Sequence, residues 1–187
     1  MVSQDAKNSL NSLLNLCLHE SLRCEAVNDW NLRTISNESE IAGKEIYMLT
    51  ISSYEFRIFL VLHFDNDKQV RNYVANAIKI PPESMTEQRF YDYLGEVGNA
   101  FCGIFKRELG KHFPHLGMST PNRLASISLK HLDTWTFDYD AHLKASAGDD
   151  LKFFGSMYVS AFGDLDFRVK NTKSVNDDVQ TGALELF

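Results

Sequence analysis

Residues 91–105 read YDYLGEVGNAFCGIF, and their reading decides how the rest of the chain must be arranged. Wound at helical spacing, Phe90, Leu94, Val97, Phe101, Ile104 and Phe105 form one apolar stripe, with Leu109 at its border. The spacing predicts a helix from a cap at Ser84 or Thr86 to about Lys111. Its stripe needs a sheet to lie on. Three glycines interrupt it, Gly95, Gly98 and Gly103, and each costs about 1 kcal/mol relative to alanine inside a helix. Opposite the stripe, Glu96 and Asn99 share the solvent arc one turn apart, where i and i+3 side chains are neighbours. Asp92, Gly103 and Arg107 fall on the same arc. Asparagine is a mediocre helix former because its side chain competes for the backbone. Small residues beside an exposed carboxylate and carboxamide leave a flat track that suits docking by another protein's surface. For Gly98, close packing against the sheet is the alternative reason.

Outward from this helix, residues 5–24 form a second amphipathic helix through Leu10, Leu13, Leu14, Cys17 and Leu18. Residues 28–43 are polar and loop-like. Lys44 to Ile51 and Glu55 to Phe64 (the latter containing FRIFLVLHF) are expected as a hairpin turning at Ser52-Ser53. Asn66 to Ile80 is a short helix stopped by Pro81-Pro82. After the central helix, HFPHLGMSTPNR is a loop marked by Pro114, Gly117 and Pro121. Strands are expected over Leu124–His131, Thr134–Ala145 and Lys152–Phe162, the last two joined at Gly148-Asp149-Asp150. The order is that of an α+β fold: long helices packed on one face of a mainly antiparallel twisted sheet. Helix then hairpin occurs twice, so pseudo-two-fold helix-plus-strands halves are expected. Residues 1–163 read as a single domain. Residues 164–187 read as a polar, mobile C-terminal extension ending in the apolar ALELF.

The chain has 187 residues, 44% hydrophobic and 12% aromatic, which suffices for a substantial core. Its net charge of −6 argues against nucleic acid as a partner. Cys17, Cys24 and Cys102 form no C-x-x-C pair and read as reduced thiols in a cytoplasmic protein. Neither a signal peptide nor a membrane span is expected. His112 and His115 are separated by Pro114, and the aspartates at 133, 138, 140, 149 and 150 lack calcium-loop spacing, so no metal site is expected. Trp30 and Trp135 read as packing residues.

Glu96-Val97-Gly98-Asn99 followed by Gly103 is E-x-x-N-x-x-x-G. This resembles the signature of the CheC/CheX/FliY family of chemotaxis phosphatases. Met118-Ser119-Thr120-Pro121 resembles that family's Ser-x-Pro loop, and the element order matches over roughly residues 5–163. One motif, on the second long helix, is more similar to the CheX type than to the two-motif CheC type. Ala100 departs from the family pattern, which places methionine or another bulky apolar residue after the asparagine.

The resemblance implies a substrate, the phospho-aspartate of a phosphorylated CheY-like receiver domain. It assigns Asn99 to orienting the attacking water, since a carboxamide offers donor and acceptor on one rigid group. It assigns Glu96 to pairing with the receiver's active-site lysine. Gly95, Gly103, Asp92 and Arg107 would be the partner-docking surface. The resemblance implies no cofactor or metal of the protein's own, the Mg²⁺ residing in the receiver, and a homodimer as the assembly. The alternative is a non-catalytic CheC-like adaptor docking on a receiver domain or motor component.

Overall fold

The computed structural model describes residues 1–169. Helix α1 (Gln4–Leu22) starts at Ser3, whose hydroxyl accepts the Ala6 N–H. It is followed by β1 (Asn31–Ile35), the hairpin β2 (Glu45–Ser52) and β3 (Phe56–Phe64), and α2 (Lys68–Ala77). Helix α3 (Glu87–Leu109) is capped by Thr86, which accepts from the Arg89 N–H. Then come β4 (Gly117–Met118), β5 (Asn122–Ala125), a 3₁₀ helix over Ser126–Thr134, β6 (Tyr139–Ala147) and β7 (Leu151–Ala161).

Every strand pairing in the sheet is antiparallel. The order is β1-β6-β7-β3-β2, with β4 and β5 sharing the free edge of β2. The long strands β3 and β7 form the centre, and the two hairpins flank it in pseudo-two-fold fashion. The helices cross over: α1 lies on β6 and β7, whereas α3 lies on β2 and β3, and the helices pack side by side. Each long helix therefore covers the hairpin that does not follow it in the chain. That is why neither half buries its apolar surface alone.

Strand β3 reads as a continuous apolar run because both of its faces are covered. Ile58, Leu60, Leu62 and Phe64 join the main core under the helices. Phe59 and Val61 join a second cluster with Ile46 and Tyr158 on the opposite face. This second cluster corrects two strand expectations. Residues 126–131 are not a strand; β5 ends at Ala125 and the chain coils into the 3₁₀ helix, which carries Leu129 onto the outer face. Residues 134–138 likewise precede β6, with Trp135 and Phe137 folding over Phe59 at ring distances of 5.2 and 6.1 Å. Strand β1 falls within the expected loop. Of its side chains only Ile35 is buried, so it is an edge strand recruited by the ladder of β6 rather than by its own pattern.

The chain after Gly163, expected as an extension, stays on the domain as far as it is described. Leu165 bonds both ways with the N-terminal backbone, Ser3 N–H to Leu165 O at 3.0 Å and Leu165 N–H to Met1 O at 2.9 Å. Phe167 packs edge-on against Phe113. The ALELF segment lies outside the described residues. Among the described residues the three cysteines are unbridged. Burial pushes the Cys102 thiol up to about 12 and the Cys17 thiol upward as well, so both are inert packing groups. No described helix is long and apolar enough to cross a membrane.

Helix α1 approaches β7 closely at Gly155, where an added Cβ would stand 2.9 Å from Leu18 Cδ2. Leu18 is fully buried and cannot swing away. Gly155→Ala is therefore expected to destabilise the fold by roughly 1–3 kcal/mol, as overpacking does, measured by urea denaturation. An unchanged midpoint would show that α1 is not clamped at this point.

Candidate functional site

Tyr47 on β2 sets how α3 lies. Its ring stacks on Phe64 at 5.6 Å, and its hydroxyl donates to Tyr91 O at 2.7 Å. The helix passes directly over it. A Cβ on Gly98 would sit 3.3 Å from Tyr47 Cβ, and one on Gly95 would sit 3.5 Å from the Tyr47 hydroxyl oxygen. Gly98 thus permits the close approach of helix to sheet, and Gly95 lies over the end of the same side chain. Gly103 differs, since nothing lies within 4 Å of its added Cβ. The glycines expected to form one exposed track have separate reasons: Gly98 is buried by packing, Gly95 is half-buried over Tyr47, and only Gly103 borders open space.

With the apolar stripe seated on the sheet, Glu96 is exposed and Asn99 half-buried. Both line a shallow cleft together with Asp92, Gly95, Tyr47, Tyr91 and Pro121. Among the described residues, neither the Glu96 carboxylate nor the Asn99 carboxamide takes a hydrogen-bond or ion-pair partner, so both retain their bonding capacity for a ligand. Asp92 accepts from Gln88 at 2.9 and 3.0 Å. Gly103 and Arg107 lie outside this cleft, further along α3, and Arg107 Nε reaches Glu108 at 3.5 Å.

Pro121 is brought to the cleft by an interruption in a β ladder. Strand β4 pairs with Ile51 and Ser52, and β5 pairs with Glu45 to Met48. Between them, the Ser119 N–H donates to Thr50 O at 2.9 Å, and Ser119 Oγ accepts the Thr50 N–H at 3.0 Å. The serine hydroxyl substitutes for a missing backbone acceptor. The chain can then bulge through Thr120 and Pro121 beside α3 without orphaning a β2 donor.

Tyr47 and Tyr91 escaped the sequence reading. Tyr91 joins the cleft to the polar network below it: its hydroxyl donates to Glu45 Oε1 at 2.8 Å and accepts from Asn66 Nδ2 at 3.0 Å. The Arg123 guanidinium lies 3.8 Å over its ring centre. Partial burial raises the phenol pKa of both tyrosines, so they act here as neutral hydrogen-bonding groups. The available signal was the helical register of YDYLGEVGN, which sets Tyr91 one turn before Gly95.

These contacts separate the glycines experimentally. Gly103→Ala is expected to stabilise the fold by about 0.5–1 kcal/mol through helix propensity. Gly98→Ala must displace Tyr47, held by a stack and a hydrogen bond, and is expected to destabilise by roughly 1 kcal/mol or more. Urea midpoints of the two variants check both signs.

No family model matches the sequence, and no curated protein matches it. Solved structures do match. CheX from Vibrio vulnificus superposes with a TM-score of 0.62 at 17% identity, over 81% of this chain and 99% of that one. A CheC-like superfamily protein from Shewanella sp. PV-4 superposes at 0.59 with 13% identity, over 85% and 99%. A CheX-CheY-BeF₃-Mg²⁺ complex from Borrelia burgdorferi matches at 0.57 with 10% identity, over 81% and 96%. At such identities the likeness is one of fold, and this chain has the fold of the CheX and CheC-like chemotaxis proteins.

Proposed function

We propose that this protein accelerates hydrolysis of the phospho-aspartate on a CheY-like receiver domain. The observation that carries this reading is the Glu96–Asn99 pair, accessible in one cleft beside Pro121, with both side chains unpartnered among the described residues. A deep pocket would not serve this chemistry, because the pair must be inserted into another protein's site. The solved complex of a CheX with CheY, similar in fold to this chain, supports a receiver as the partner.

Asn99 orients the attacking water in line with the acyl phosphate, as a glutamine does in GTPases. Glu96, accepting only, takes an ammonium donor on the receiver and fixes the register of docking. Mg²⁺ is supplied by the receiver, and no covalent intermediate forms on this chain. Asp92 and Gly95 border the docking cleft, while Gly103 and Arg107 extend the contact along α3. Ala100, exposed beside Asn99, leaves that side of the pair open. The protein acts as a homodimer in the cytoplasm; light scattering of the purified chain checks the assembly, and a monomer at working concentration overturns it.

The decisive experiment phosphorylates candidate receivers with a small acyl-phosphate donor and follows loss of phosphate. Wild type is expected to speed decay, and Asn99→Ala to lose about 10²-fold of that acceleration, the scale of a misplaced reacting group. Glu96→Gln should weaken the complex more than the bound-state rate. Equal decay with wild type and Asn99→Ala sinks the phosphatase reading. Receiver binding without faster decay identifies a docking adaptor instead.

A further inference from the structure

The face of the sheet away from the helices carries a second cluster that the proposed phosphatase chemistry does not use. His142 on β6, Ser156 on β7 and His63 on β3 are all buried there, with Ser156 directly across from His142 in the ladder. Ser156 Oγ lies 3.0 Å from His142 Nδ1 and 2.8 Å from His63 Nε2. The other nitrogen of His142, Nε2, faces outward toward two carboxylates: Asp140 Oδ2 at 3.0 Å and Glu38 Oε1 at 3.1 Å. Among the described residues neither carboxylate is paired with a lysine or arginine.

We propose that Glu38, Asp140 and His142 form a binding site for a divalent transition-metal ion, with Zn²⁺ as the fitting probe. The donor set is one imidazole and two carboxylates, and their ligand atoms all lie within 4.8 Å of one another. Zinc bonds of about 2.0–2.1 Å put adjacent tetrahedral ligand atoms roughly 3.3 Å apart. The 3.0 and 3.1 Å separations seen here need only a slight opening to admit the ion.

Two further observations set this apart from an ordinary acidic patch. The first is the hydrogen bond behind the imidazole. A metal-binding histidine usually has its second nitrogen held by an acceptor, which fixes ring and tautomer. Here Nδ1–H can donate to Ser156 Oγ, whose hydroxyl in turn donates to His63 Nε2, so an ion that takes the place of the Nε2 proton meets the Nε2 lone pair of His142 beside the carboxylates. The second is that the backbone holds Glu38 in place. Strand β1 pairs Ile35 with His142, and the 3₁₀ turn Glu38–Glu40 then follows. That turn is fixed by the Asn37 side chain, which accepts the Ser39 N–H, and by the Arg33–Glu40 ion pair at 2.7 Å.

Glu38 and Asp140 also border a cavity of about 600 Å³ walled by Trp135, Phe137 and Tyr158, into which a fourth coordination position would open. Three protein ligands with an open fourth position is the arrangement of a site that can take a small exogenous ligand. Neither the histidine spacing nor the aspartate spacing led to the expectation of a metal. These ligands are instead united by the pairing of β1 with β6.

The test is Zn²⁺ titration of the full chelator-treated chain, read by calorimetry and by the shift in melting temperature. One Zn²⁺ per chain is expected, raising the melting temperature by mass action. Glu38→Gln and Asp140→Asn are exposed, nearly isosteric changes, and each should weaken binding at least about 10-fold. Ser156→Ala, which touches no ion, should weaken it roughly 10–100-fold, as loss of an outer-shell partner does. His112→Ala should leave binding unchanged. Binding that is not saturable near one equivalent, or that is indifferent to both carboxylate variants, overturns the proposal. If His142→Ala fails to fold, the carboxylate variants still decide.

Discussion

The contact between Tyr47 and the glycine side of α3 is the constraint on which the site depends. A long helix can settle on a sheet in several rotations, and its exposed face is whatever the packing leaves outside. Here a tyrosine stands up from β2, and the helix backbone passes so close that a Cβ added at Gly98 would sit 3.3 Å from Tyr47 Cβ. The tyrosine hydroxyl then bonds back to the carbonyl of Tyr91 on the same helix. Shape and hydrogen bond together fix both the height and the rotation of α3, which leaves Glu96 and Asn99 outward. The helix gives up intrinsic propensity at Gly98 and recovers packing against the sheet.

The same strand organises the other side of the cleft. The outer edge of β2 is filled in two pieces, β4 and β5, and the gap between them is closed by one serine side chain at Thr50. A strand edge with an unmet N–H would be both unstable and sticky. Ser119 removes that liability while leaving Pro121 free to stand beside the helix. Stability of the edge and shape of the cleft are therefore products of one local device.

The sheet is covered on both faces, but unequally. The helices cover one face, while among the described residues the other receives the 3₁₀ segment and the Trp135–Phe137 stretch. That lighter cover leaves a cavity and keeps His142 and His63 on a polar line through Ser156 instead of in a dry core. Burial holds the His63 imidazole neutral, with its pKa lowered to about 3. A neutral ring there is what the buried hydrogen-bond chain requires, since a charge would find no counterion at Ser156.

How much was legible follows from the range of the forces involved. Periodicity and one turn signal carried both long helices, the β2–β3 hairpin and the apolar stripe of α3, because these depend on neighbours close in the chain. The outward arc with Glu96 and Asn99 was readable for the same reason. Residues such as Asn31 to Ile35 have no strong pattern of their own and became a strand only because β6 offered a ladder. The end of the strand expected over Leu124–His131 and the start of the one expected over Thr134–Ala145 coil instead, and they supply the outer face of the sheet with an apolar cover. The sequence by itself determined which residues share a face of each element. Only the tertiary structure decided which hairpin each helix covers, how Tyr47 sorts the glycines, and that Glu38 meets Asp140 and His142. Those outcomes rest on contacts between segments far apart in the chain, which local spacing does not encode.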